Sequence, residues 1–163
     1  MITRLTALSL CLFALPASAQ DASFSTKSLT PESAHLAART AMESCRKTGY
    51  QVAVAVVDRS GLLQAFVRDR FAGAHTVDVA INKAWTAASF KIPSAVLGHE
   101  TQPGKPLSGL RSLPRVLPVG GGLPIQAGGS LFGGIGVSGA PGGEADDACA
   151  EAGIKAIADA LEF

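Results

Sequence analysis

The hydrophobic positions of this chain fall into two alternating rhythms. Over residues 51–57, Val52, Val54 and Val56 alternate with Ala53, Ala55 and Val57. Both faces are therefore apolar, the pattern of a central strand covered on both sides. Asp58-Arg59-Ser60-Gly61 reads as a turn, and a second strand follows over 62–68, which predicts a hairpin. A period near 3.6 governs the flanking segments. Ala34, Ala37, Ala38, Ala41, Met42 and Cys45 share one side of a predicted helix, with Glu32, Arg39, Glu43 and Arg46 opposite. Thr30 has the chemistry of its N-cap, Pro31 fits the first turn, and Gly49 marks its end.

A second helix is predicted over 75–90, with Val77, Ala80, Ile81, Ala84 and Ala88 as its core stripe. Its other side gathers His75, Val79, Asn82, Thr86 and Phe90, with Lys83 at the edge. A solvated face carries more charge than this, so the second face is expected to meet a partner subunit, a ligand or another part of the chain. The passage from Pro93 to Pro124 is rich in proline and glycine. Within it a short helix is expected near 94–99 and a strand over 115–119. Strands over 123–127 and 131–138 flank Gly128-Gly129-Ser130, and a last amphipathic helix occupies 144–161, with Cys149, Gly153, Ile157, Ala160 and Leu161 on its packing side. The order α-β-β-α-(α)-β-β-β-α predicts an α+β fold: a five-stranded, mainly antiparallel sheet flanked by helices, profilin-like in appearance.

The first 19 residues change the picture of where the chain works. Arg4, the apolar run Leu5 to Leu15 and Ala17-Ser18-Ala19 have the order of a secretory leader cleaved after Ala19. The run is shorter than the ~20 residues of a spanning helix. The expected organisation is a leader over 1–19, a flexible lead-in over 20–29 and one domain over 30–163, in a periplasmic or secreted protein with no membrane insertion after cleavage. The chain has 14 basic and 13 acidic residues, and loss of Arg4 leaves the signs in balance. That balance, with no basic run, argues against a nucleic-acid partner and permits self-association. Cys11 leaves with the leader. Cys45 and Cys149 are either a disulfide between the first and last helices or two separate buried thiols, since spacing alone does not supply the Cα separation.

Candidate chemistry is sparse. GGGLP and GGSLFGGIG lack a phosphate-loop lysine and the strand–GxGxxG–helix context, so they read as turns and close packing. Asp58 suits an Asx turn. Asp146 and Asp147 open the last helix, where carboxylates favour the dipole. Ser60, Ser108 and Ser138 have no triad context. His35, His75 and His99 are too scattered for a closed metal site, but a single axial ligand to haem iron needs no spacing motif. His75, opening the apolar-faced helix, leads that role, and His35, beside Met42, comes next.

VAVAVVDRSGLLQAFVRD, INKAWTAASF, QPGKPLSGL, GGGLPIQ and GGIGVSGA follow one another in an order that resembles the GlcG/HbpS family, which contains extracellular haem-binding HbpS proteins and the C-terminal domain of PduO-type proteins. The resemblance spans nearly all of the chain after the leader. It implies an antiparallel α/β fold, assembly into dimers or higher oligomers, and haem or related tetrapyrrole binding in some members. The chain departs from the family after GVSG, where PGGEADDACA replaces an acidic or Gln-Asp pair. On this basis the expected function is an exported haem-binding protein that sequesters, carries or senses haem. His75 is the expected iron ligand, Val79 and Phe90 are apolar contacts, and Arg68, Arg70 and Lys83 are cations for the propionates. Thr86, within KAWTA, and His35 complete the set of ligand-binding candidates. The alternatives are a module for another small molecule, a membrane sensor or a transport partner, and an enzyme acting oxidatively on haem or a small acid. For the enzyme, no nucleophile-and-base set is present.

Overall fold

The computed structural model describes residues 22–161, so the expected leader and Cys11 lie outside the described residues. The elements are α1 (Pro31–Lys47), β1 (Ala53–Asp58), β2 (Leu63–Arg68), α2 (Thr76–Phe90), α3 (Ser94–Glu100), β3 (Gly122–Ala127), β4 (Ser130–Ser138) and α4 (Gly143–Lys155). At the start of α1 the Thr30 hydroxyl accepts a hydrogen bond from Ser33 N at 3.2 Å, satisfying one of the amides a helix N-terminus leaves without a partner. Past its end, Gly49 takes φ 87°, where glycine has no Cβ to clash.

The four strands form one antiparallel sheet in the order β2-β1-β4-β3. β1 is internal, as its two apolar faces require: Val54 lies opposite Val67 of β2 and Val137 of β4. Alternation along β1 feeds two separate cores. Val52, Val54 and Val56 join Ile125, Ile135 and Val137 beneath the alanine face of α1 and the Cys149–Ala150 side of α4. Ala53, Ala55 and Val57 point the other way, toward Ala80, Ala84 and Ala88 of α2. Each buried valine contributes roughly 1.5–3 kcal/mol, so β1 anchors both layers. Small residues let α2 lie close on the sheet. A Cβ added at Gly134 of β4 would come within 2.6 Å of the Ala84 carbonyl oxygen. On the other layer Cys45 and Cys149 are joined in a disulfide, their Cα atoms 5.5 Å apart, tying α1 to α4.

The sheet has four strands, not five, because the strand expected over 115–119 does not form. Arg115 adopts φ 71°, and Val116 and Val119 donate to Leu113 O and Leu117 O in turns. Pro114 and Pro118 bracket this stretch, and a proline has no N–H for a ladder. α2 supplies the missing partners instead: the Thr86 hydroxyl donates to Arg115 O at 3.3 Å and accepts from Leu117 N at 2.9 Å. The Thr86 side of α2 is therefore covered by the chain's own proline-rich passage. Ser94 fastens the end of that passage, donating to Val119 O and accepting from Gly122 N. The last helix is shorter than expected: α4 ends at Lys155, and a single 3₁₀ turn follows at Ala158–Ala160.

Candidate ligand-binding cavity

The layered packing leaves a cavity of about 540 Å³ at the N-terminal end of α2, where the start of β1, the end of β4 and the first turn of α4 converge. Its floor is an ion pair. Lys83 Nζ lies 2.7 Å from Asp146 Oδ2 and donates to Val137 O at 3.0 Å. Both side chains are only 4% accessible. The second Asp146 oxygen accepts from Ala140 N at 3.0 Å, and Asp147 Oδ1 accepts from Gly121 N at 2.6 Å. The adjacent aspartates thereby fasten two glycine-rich walls, 120–122 and 139–143, to α4. Burial pushes both carboxyls above the usual range. The hydrogen bond and charge of Lys83 oppose this at Asp146, and the Gly121 amide opposes it at Asp147.

The rim is different in character. Phe71 is 79% exposed and Val119 is exposed beside it. The exposed imidazole of His75 packs against Gly73, where an added Cβ would come within 2.8 Å of Cε1 and 2.9 Å of Nδ1. The ring lies directly over that glycine, and it makes no hydrogen bond to any described residue. The loop bearing Phe71 and His75 is held from below. Buried Asp69 receives Arg46 through Nε at 2.8 Å and Nη2 at 3.0 Å, which holds its carboxyl below the usual range against the cost of burial. The Arg68 guanidinium donates to Ala72 O at 3.0 and 2.6 Å. Thr76 Oγ1 donates to Gly73 O at 2.6 Å.

Of the expected ligand-binding residues, the structure brings only His75 and Lys83 to this cavity. Lys83 is buried within the fold, not at the edge of a solvated face, and its charge is already matched by Asp146. Thr86 is buried and bonded to the proline-rich passage, and Arg68 braces its own loop. Val79 and Phe90 are half-buried on α2 but outside the cavity lining. Phe90 is one α2 length, about 22 Å at 1.5 Å per residue, from the His75 end. His35 belongs to α1 on the opposite layer, exposed, with Nδ1 2.8 Å from Pro31 O. Sequence reasoning missed Phe71, the Asp69 anchor and the partner of Asp146. Asp69 was hidden among arginines, where a carboxylate reads as solvated. The Lys83–Asp146 pair spans 63 residues, beyond the reach of any periodicity. Among the described residues, no group of three or more His, Cys, Asp or Glu is placed to hold a metal ion, and no helix is long and apolar enough to cross a membrane.

Residues 29–155 match the family model described as haem degrading protein HbpS-like. An HbpS double mutant from Streptomyces reticuli has a similar structure, with TM-score 0.78 and 38% identity over 87% of this chain and 96% of that one. A crystal structure of a PduOC–heme complex matches with TM-score 0.75 and 33% identity, over 80% of this chain and 95% of that one. The corrinoid adenosyltransferase PduO of Salmonella typhimurium is 35% identical over 107 residues, 64% of this chain but 32% of that protein. The chain thus spans about a third of the length of this curated relative.

Proposed function

Since the chain belongs to the HbpS-like family, we propose that it binds haem at the N-terminal end of α2 in an oxidising compartment outside the cytoplasm, where it sequesters, carries or senses the cofactor. The observation that carries this reading is the His75 imidazole, exposed at the cavity mouth and without a hydrogen-bond partner among the described residues. Such a nitrogen is chemically suited to an axial position on haem iron. The surroundings fit the group: a cavity of about 540 Å³ lies within the roughly 300–1,000 Å³ of small-molecule sites, and Phe71 and Val119 offer apolar surface to a macrocycle. Bound haem supplies iron-centred ligand and redox chemistry.

The protein's own residues do the positioning. Asp69 and Arg68 hold the 69–76 loop, so the imidazole and the Phe71 ring are presented from a braced segment. The Lys83–Asp146 pair closes the floor without leaving a net charge there. Lys83 therefore gives up the propionate role expected for it, and Arg70, next to Phe71 in the chain and 72% accessible although its Nε lies 4.0 Å from Asp69 Oδ1, takes that role in this reading. The Cys45–Cys149 disulfide supports an oxidising compartment, as does the leader-like N-terminus. Self-association is proposed with it, as is a membrane sensor or transport partner that receives the haem-loaded protein.

The test is a haemin titration of the chain lacking residues 1–19, followed by absorbance against an albumin control. A saturable, sharp Soret band that shifts or disappears in His75→Ala is the expected result. Featureless, non-saturating uptake overturns haem binding. An unchanged band in His75→Ala removes His75 from the iron.

A further inference from the structure

A second cavity, of about 510 Å³, lies at the opposite, C-terminal end of α2 and shares no lining residue with the first. Three cations converge on it from separate segments: Lys27 from the lead-in, Arg59 from the β1–β2 turn and Lys91 from the end of α2. Gln126, Ser130 and the Gly129 turn also line it, and no aspartate or glutamate is among the described lining residues. The like charges of Arg59 and Lys91 repel one another across the cavity.

Each cation is also set in place by the fold. Asp58 Oδ1 accepts from Ser60 N at 2.8 Å and Leu62 N at 2.9 Å, which locks the turn that carries Arg59. The same turn is seated on α2, because an added Cβ at Gly61 would come within 2.6 Å of Trp85 Cδ1. Arg59 and Lys91 are thereby referenced to one helix. Lys91 caps α2 in the left-handed region, φ 59°, a position where glycine is the usual residue. A cation there is favourable to the helix dipole, but a cation anywhere within the last turn would do the same, whereas the left-handed backbone is what turns Lys91 out of the helical path beside the cavity. Lys27 Nζ lies 5.9 Å from the centre of the Phe132 ring, which holds the lead-in against β4. Neither Arg59 nor Lys91 is ion-paired within the described residues.

We propose that this cavity is a binding site for a small, multiply charged oxyanion, a di- or tricarboxylate or a phosphoanhydride, separate from the haem site. Arg59 matches a carboxylate or phosphate through its planar fork of donors, and Lys91 acts as a point charge. The cavity, about 510 Å³, has room for more than one oxyanion group, so the ligand carries at least two, joined by a short frame that reaches Gln126 and Ser130.

The experiment is calorimetric titration of the haem-free chain with citrate and, separately, pyrophosphate, at about 0.15 M salt where exposed charges are screened. One saturable site for at least one probe is expected. It should weaken about tenfold or more in Arg59→Gln and in Lys91→Gln, and remain unchanged in Lys155→Gln, an exposed lysine on α4. Preference for citrate identifies carboxylate chemistry, and preference for pyrophosphate identifies phosphate chemistry. Retention of affinity in Arg59→Lys together with loss in Arg59→Gln assigns the effect to charge. Absence of saturable binding by both probes, or binding that both Gln variants leave intact, overturns the site. Because no haemin is present, either result leaves the haem reading untouched.

Discussion

The two ends of α2 treat positive charge in opposite ways. At the N-terminal end Lys83 is buried and matched by Asp146 at 2.7 Å. What that end exposes is an imidazole and the apolar surfaces of Phe71 and Val119. At the C-terminal end Arg59 and Lys91 stay exposed, with no carboxylate among the described lining residues. Burial explains the contrast. A charge withdrawn from water must be paired within the protein, so Lys83 is committed to structure. A solvated charge needs no internal partner and remains available for recognition. Charge at a cavity is therefore evidence of a ligand only where the fold has not already consumed it.

The sharpest way to break this comparison is to remove the buried partner. Lys83→Met leaves the Asp146 carboxylate unpaired, and a stability loss of about 3–5 kcal/mol is expected by denaturant unfolding. Replacing both residues by apolar ones of similar volume should restore most of it. Opening the Cys45–Cys149 link on the other layer should cost about 2–5 kcal/mol, compared in oxidised protein and in a double Cys→Ser variant. This loss should leave a haemin Soret band in place while protein remains folded, because the disulfide touches neither cavity.

Acid titration separates two kinds of buried carboxylate. Asp69 is held below the usual range by Arg46, so its stabilisation is full above the ordinary carboxylate pKa and is lost as pH falls through its depressed value. Asp146 and Asp147 are raised by burial. Their contribution is full below the ordinary value and is lost as pH rises through the raised one. Melting temperature against pH should therefore lose part of its acid-side fall in Asp69→Asn, and part of its decline just above the ordinary carboxylate range in Asp147→Asn. The smallest effects should be at the exposed ligand-facing groups. His75→Ala and Arg59→Gln are expected to change stability by no more than about 0.5 kcal/mol while altering the Soret band and the anion titration, respectively. A larger loss in either variant would mean that the group serves the fold.

Much of the architecture was legible in the chain. The alternation Val52–Val57 pointed to a strand covered on both faces, and β1 is internal to the sheet. The Thr30-Pro31-Glu32 start, the alanine face of α1, the Asp58 turn and the short helix near Ser94 all follow from local chemistry, and all are present. The fifth strand failed where Pro114, Pro118 and a left-handed Arg115 outweighed a short apolar run. The candidate site was less legible. His75 was readable because it opens a helix with an apolar second face, yet Thr86, Val79 and Phe90 on that face went largely to the fold or lay outside the cavity.

By itself the sequence determined most of the elements, the two-faced central strand and the family, because these depend on residues near one another in the chain or on their order. Only the tertiary structure decided which charges are used and which are left over. Lys83 meets Asp146 across 63 residues and Cys45 meets Cys149 across 104, while Arg59 and Lys91 meet no carboxylate of the described residues at the cavity they share. Such pairings depend on how two layers close over one sheet. That closure sets distance and dielectric, and through them whether a charge serves the fold or is presented to a ligand.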